Sequence, residues 1–406
     1  MKKKTTIPPE IKVVKKQKTN TKLDMLKPTA RLNARPSSNK QSTISNENAT
    51  RSKPTSSKKT LKSSTSKSVI IPTKLMKSKS VTVIKPISNI INTANIPIQT
   101  PSVCSPSAYD NYMHHKSCLT ESDIRSLGAL YNSRKPTDPI PQEYFNDIKM
   151  LHGELDKRFV QQPCGRGNEH CWLEDPIVKT SDMYQQIVKR FRPKKPSSWE
   201  SNPRQWLNTL DILEVMKQYE ELHPSFQFHG VFPSDFMKTY SNSDVCIGRH
   251  MCGFDVDTML KNGKSSFGIV FNLDKHDQPG SHWTAAFADF DKENKTFGMC
   301  YYDSMGSRPP TEIFNFLKEV RGQSRQVFNE QEMSAFDARY NNSQHQYKYT
   351  ECGMFSMAFI ILCLEYLKTN VGYRGIRDMI GPKSDDDVHK LRNRLYRPVA
   401  PLNVKI

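Results

Sequence analysis

The sequence predicts an α+β fold, with a group of strands set between helices behind a long basic tail. Three observations carry this. Apolar runs at 267–273, 283–290 and 297–302 read as strands. Stretches with apolar residues every three to four positions read as helices on either side of them. Residues 1–100 contain no Gly, Phe, Tyr or Trp. Such a segment cannot bury enough apolar surface to offset the entropy of ordering a chain. The expected organisation is a disordered Lys-rich tail over 1–105, a helical accessory region over 106–199 and an α+β unit over 200–406.

Thr120-Glu121-Ser122-Asp123 supplies capping residues ahead of Ile124, Leu127, Leu130 and Tyr131, and predicts the first helix. Pro141 starts a second candidate, with Tyr144, Phe145, Ile148, Leu151 and Leu155 on one side. Pro193, Pro196 and Pro203 mark the break between the two regions. Trp206-Leu207-Asn208 then leads into an amphipathic helix carrying Leu210, Ile212, Leu213, Val215, Met216 and Tyr219. The strands follow, the last two joined by a hairpin-like link, Asp291-Lys292-Glu293-Asn294-Lys295. Pro309-Pro310-Thr311 opens a helix with Ile313, Phe316, Leu317 and Val320. The last clear element is the apolar run that begins at Cys352. From Met357 to Leu364 that run is too short to span a bilayer, and no membrane contact is expected.

Charge is unevenly placed. Residues 1–100 hold 22 Lys+Arg against 3 Asp+Glu, and the rest of the chain holds 38 of each, so the whole surplus lies in the first quarter. Lysine-rich segments attract phosphates through counterion release without reading sequence. Nonspecific nucleic-acid contact through 1–105 is therefore expected, with a nuclear address or a spacer as the alternatives. Base-specific readout is not, because no aromatic is there to stack on bases. Met1-Lys2-Lys3-Lys4 leads into polar sequence and not into a secretory signal. With nine irregularly spaced cysteines, this predicts a reducing compartment and free thiols.

Four residues have the chemistry of a thiol nucleophile site, in the order His282, Asp303, Gln346, Cys352. The thiolate, not the thiol, is the nucleophile, and a helix start and a neighbouring imidazolium both favour it. Cys352 heads an apolar helical run. His282 begins a strand and would serve as base and acid. Asp303 ends the next strand, where it would fix the imidazole tautomer. Gln346 can donate its amide to a tetrahedral oxyanion. Gly353 permits close backbone approach behind the nucleophile. Taken singly, each residue has a bland structural reading; the ordered set in matching local contexts is what points to catalysis.

Gly280-Ser281-His282-Trp283, Tyr301-Tyr302-Asp303-Ser304, and Gln346 with five residues before Cys352-Gly353 resemble the ubiquitin-like-protein (SUMO) protease superfamily. Adenovirus protease and the core cysteine proteases of nucleocytoplasmic large DNA viruses belong to it, and the long N-terminal extension resembles the latter. The likeness covers about residues 200–370, including Trp206-Leu207-Asn208 as a substrate-side helix. It implies a papain-like cysteine protease fold, a central mixed sheet flanked by helices. It also implies a His282, Asp303, Cys352 triad with Gln346 in the oxyanion hole. Trp283, Trp206 and Gly353 would line the substrate path. Cleavage after Gly-Gly or Gly-x-Gly in viral structural polyproteins is the implied activity, placing the protein in the virion and host cytoplasm. A deubiquitinase or deSUMOylase, an acetyltransferase of the same catalytic order, and a basic nucleic-acid-associated virion protein with a dead protease fold are the competing readings. Glu351 stands where SUMO proteases usually carry Asp. Cys164-x5-His170-Cys171 and Cys246-x3-His250-x-Cys252 contain zinc-ligand types without a clean CxxC pair. Neither a metal nor a phosphate- or dinucleotide-binding motif is read from the chain, and no cofactor is expected.

Overall fold

The computed structural model describes residues 103–159, 167–241 and 243–398. Residues 1–102 of the expected tail lie outside them. In the first region, helix α1 (Glu121–Arg134) starts where the capping residues place it. Thr120 and Asp123 form a reciprocal capping box. The second predicted helix is divided. A single 3-10 turn covers Gln142–Asn146, and helix α2 (Ile148–Arg158) starts afresh with Asp147 as its cap. Asp147 accepts the amides of Lys149 and Met150, which sets a new helix origin just past the proline-led turn. Leu127, Leu151, Leu155, Phe159, Trp172 and Phe191 form part of a core of this region's own.

In the second region, helix α3 (Thr209–Leu222) is capped by Asn208 and followed by strand β1 (Phe226–Pro233). Strands β2 (Ser266–Asn272), β3 (Trp283–Asp289) and β4 (Gly298–Tyr302) match the predicted runs to within a residue or two. Helix α4 (Thr311–Val327) and the short strand β5 (Asp337–Tyr340) come next. Helices α5 (Cys352–Glu365), α6 (Tyr373–Ile380) and α7 (Asp385–Lys390) complete the principal elements. The sheet order is β1-β2-β3-β4-β5, parallel at both edges and antiparallel through the middle. This is the mixed α+β sheet that the sequence predicts.

Side chains alternate across the sheet, so each strand feeds two cores. Val270, Ala285, Phe287, Cys300 and Tyr302 face α5 and α3. Ile269, Phe271, Ala286, Ala288, Met299 and Tyr301 face α4. Helix α5 is enclosed between the sheet and the C-terminal helices; residues 352–364 are all buried. A helix apolar on every side must lie inside a protein or a membrane. No helix among the described residues is long and apolar enough to cross a bilayer.

The expectation of free thiols needs correction. Cys104 pairs with Cys118 and Cys246 with Cys252 as disulfides. Folding brings the first pair to a Cα–Cα distance of 5.2 Å across 14 residues of sequence, a proximity that spacing along the chain does not reveal. Cys300, Cys352 and Cys363 are free and buried.

Candidate active site

The site forms at the ends of three elements that the sheet and α5 hold side by side. Antiparallel pairing sets Ala285 of β3 opposite Tyr302 of β4. That register brings the residue just before β3, His282, beside the residue just after β4, Asp303. His282 Nε2 donates to Asp303 Oδ1 at 2.7 Å. The carboxylate is buried, whereas the imidazole keeps 18% of its side-chain surface exposed. With Nε2 committed to Asp303, Nδ1 is the ring nitrogen left for the thiol. Burial opposes charge on the ring, but the bond to Asp303 and the neighbouring Cys352 prevail and raise His282 to about 9. The imidazolium is thus the favoured form beside the thiol at neutral pH.

Cys352 is the first residue of α5 and is 2% exposed. The other free thiols differ in kind. Burial pushes Cys300 and Cys363 far above the ordinary thiol range, so they stay protonated and inert. Behind Cys352, Gly353 is required by packing. A Cβ there would lie 2.9 Å from Leu207 Cδ1 and 3.2 Å from Trp283 Cδ1. Trp283 is itself buried and donates Nε1–H to the Leu207 carbonyl at 3.0 Å. Trp206, one residue earlier, is 42% exposed.

Gln346 is buried in the loop that precedes α5. Ser304 Oγ donates to its Oε1 at 2.6 Å, and its Nε2 donates to the Lys348 carbonyl at 2.5 Å. A primary amide carries two N–H bonds, so one remains for a further acceptor. Ser304 also accepts the amides of His345 and Gln346 at its own carbonyl, at 2.7 and 2.9 Å. It thereby ties the Asp303 turn to the Gln346 loop. Asn341 secures the same turn from below, donating Nδ2–H to the Asp303 carbonyl at 2.7 Å. Asn341 was not among the residues that the motifs single out; a lone Asn after a short polar strand carries no signal. Ser304 was legible only as part of Tyr301-Tyr302-Asp303-Ser304.

Glu351, adjacent to Cys352, is fully buried. His389 Nδ1 approaches its Oε1 at 2.9 Å, and Arg392 Nε donates to Oε2 at 3.1 Å. Arg392 in turn lies 4.5 Å above the Trp199 ring. The residue before Cys352 is thus fixed by the C-terminal helices. Among the described residues, no group of three or more His, Cys, Asp or Glu side chains is placed to hold a metal ion. Cys246 and Cys252 are bonded to each other, His250 Nε2 meets the His229 carbonyl at 3.1 Å, and Cys164 lies outside the described residues.

The fold is of the papain-like, SUMO-protease type. No family model matches the chain. Its sequence is similar to a protein of Acanthamoeba polyphaga mimivirus named as a thiol protease. That relative is 27% identical over 278 residues, covering 65% of this chain and 84% of the relative. It is also similar to a protein of African swine fever virus named as a SUMO-1 cysteine protease, 24% identical over 262 residues, covering 61% of this chain and 90% of the relative. A crystal structure of an African swine fever virus protease aligns with TM-score 0.47 and 17% identity over 74% of this chain and 97% of that one. The homologues of this chain are therefore viral cysteine proteases, matching the SUMO-protease-like superfamily.

Proposed function

We infer that the chain is a cysteine endopeptidase in which Cys352 attacks, His282 moves the proton, Asp303 orients His282 and Gln346 binds the oxyanion. The observation that carries this is His282 bonded to a buried carboxylate at 2.7 Å and set beside Cys352, a free thiol at a helix start. The thiolate would add to the scissile carbonyl, and the oxyanion would take the free N–H of Gln346 and the Cys352 backbone N–H. Imidazolium His282 would then protonate the departing amine, leaving a thioester and neutral imidazole. His282 would next remove a proton from the attacking water, and collapse of the second tetrahedral species would release the acid and restore Cys352. Trp206, exposed on the segment whose Leu207 packs on Gly353, is assigned to the substrate path, with Trp283 and Gly353 forming its floor.

Cleavage after small residues of the Gly-Gly type, in viral structural polyproteins, is the substrate reading that the family resemblance supports. Viral relatives support a place in virions and infected cytoplasm. The second reading, removal of a ubiquitin-like modifier, is favoured by the name of the swine fever virus relative. Gly-Gly-containing peptides offered beside ubiquitin and SUMO probes separate the two. Peptide cleavage with no probe turnover is the expected result; efficient probe turnover with inert peptides would install the second reading. Cys352→Ala is expected to abolish both, and retained cleavage would remove the site assignment.

A further inference from the structure

Residues 347–349, just after Gln346, have little packing of their own. Tyr347 and Tyr349 are 71% and 83% exposed, and Lys348 between them is exposed too. A loop whose side chains face water must be held by its backbone, and here the holder comes from another element. Asp385, the first residue of α7, is 4% exposed and turns its carboxylate into the loop. Oδ2 accepts the Tyr347 amide at 2.9 Å and Oδ1 accepts the Lys348 amide at 3.1 Å. These are the two peptide units directly after Gln346. The Lys348 carbonyl, in the same short segment, is the group that accepts Gln346 Nε2. Asp385 does not cap its own helix, because Ser384 and Asp387 form that capping box. Its carboxylate is spent on the loop.

We propose that Asp385 is a positioning residue for the reaction, a buried carboxylate that clamps two loop amides and so aims the Gln346 side chain at the oxyanion. This rests on the role proposed for Gln346. Ser304 fixes the oxygen of the Gln346 side chain, and Asp385, through Lys348, fixes its nitrogen. A hydroxyl donor on its oxygen and a carbonyl acceptor on its nitrogen leave the amide one orientation. Asparagine at 385 keeps size but offers a single acceptor oxygen, and its NH2 would face an amide N–H. The loop must then turn one peptide unit away, and a misplacement near 1 Å costs about 100-fold in rate.

The test uses the full chain, a fluorogenic peptide ending in Gly-Gly, and the variants Asp385→Asn, Gln346→Ala and their double. Asp385→Asn should lower kcat about 100-fold with KM changed less than about threefold, as expected when an interaction made in the transition state is lost. The double variant should be no more than about threefold slower than Gln346→Ala, because both changes remove one function. Alkylation of Cys352 by iodoacetamide, which forms no oxyanion, should proceed at the parent rate. Asp386→Ala is the control: it removes exposed ion pairs to Lys348 and Arg204 and should cost under about threefold. Full multiplication of the two losses, a parallel fall in alkylation, or unchanged kcat in Asp385→Asn would each overturn the proposal. Should Asp385→Asn fail to fold, Asp385→Glu keeps both acceptor oxygens on a longer stem and submits to the same non-additivity test. A Gln346→Ala variant as active as the parent would remove the role of Gln346 itself. A damaging Gln346→Ala beside a harmless Asp385→Asn would remove this inference alone.

Discussion

His282 is bonded to a buried carboxylate and lies beside the Cys352 thiol, and both favour its protonated form. Its value in the folded chain, about 9, lies above the ordinary 6.5. A raised base contributes stability that is full below its unfolded value and is lost as pH rises through its folded value. The same proton is needed at the leaving amine. The denaturant midpoint should therefore fall between about pH 6.5 and 9, and kcat/KM on the alkaline side near pH 9; flat profiles there would contradict the ion pair. Asp303→Asn should lower kcat by as much as about 10⁴-fold, through loss of the fixed tautomer, and should lower the melting temperature in near-neutral buffer, because the His282 proton loses its buried partner. His282, Asp303, Gln346 and Cys352 were legible in the sequence because each sits in a short motif at an element boundary. Asp385 was not. Its triplet reads as a helix-start charge cluster, and Asp387 does cap that helix. The loop amides that Asp385 accepts lie 37 and 38 residues earlier.

At the scale of elements, two glycines mark where backbones or side chains come closest. Gly298 opens β4 with φ +137°, and a Cβ there would lie 2.2 Å from the Asp337 carbonyl oxygen on β5. Gly298→Ala should destabilise the chain by more than about 1 kcal/mol, since no L side chain adopts that φ without strain and the clash is with backbone. Gly353→Ala meets the flexible end of Leu207 and the Trp283 ring, and should cost about 1–3 kcal/mol. Urea titrations of both variants against the parent measure these costs. The same close pairing explains what the sequence hid. Strand β5 is four residues long, Asp337-Ala338-Arg339-Tyr340, and pairs along β4 alone. Such a segment has too few apolar residues to display a period. In β1, the alternation breaks at the irregular register between Phe228 and Gly230, which obscures the strand. The central strands and α5 were readable because both sheet faces are covered, and coverage demands continuous apolar sequence.

At the scale of the molecule, the surplus charge belongs to residues 1–100 and the chemistry to residues beyond 200. Deleting 1–102 should leave peptide kcat/KM within about twofold. It should also abolish nucleic-acid binding whose affinity falls steeply with added salt. Retained affinity in the shortened chain would move that contact onto the folded part. The first region is bonded to the second at several points: Gln218 Nε2 donates to the Phe191 carbonyl at 2.7 Å, and the Arg397 amide donates to the Pro193 carbonyl at 2.8 Å. Helix α5, enclosed along thirteen consecutive residues, gives Cys352 an unusual mechanical footing. Amides at the centre of such a helix exchange with solvent deuterium chiefly when the whole domain opens. The thiol therefore cannot be withdrawn by shifting its own helix while the domain stays intact. Control of cleavage has to act at the approach to Cys352, through the exposed segments around Trp206 and Tyr347, leaving the position of the sulfur untouched.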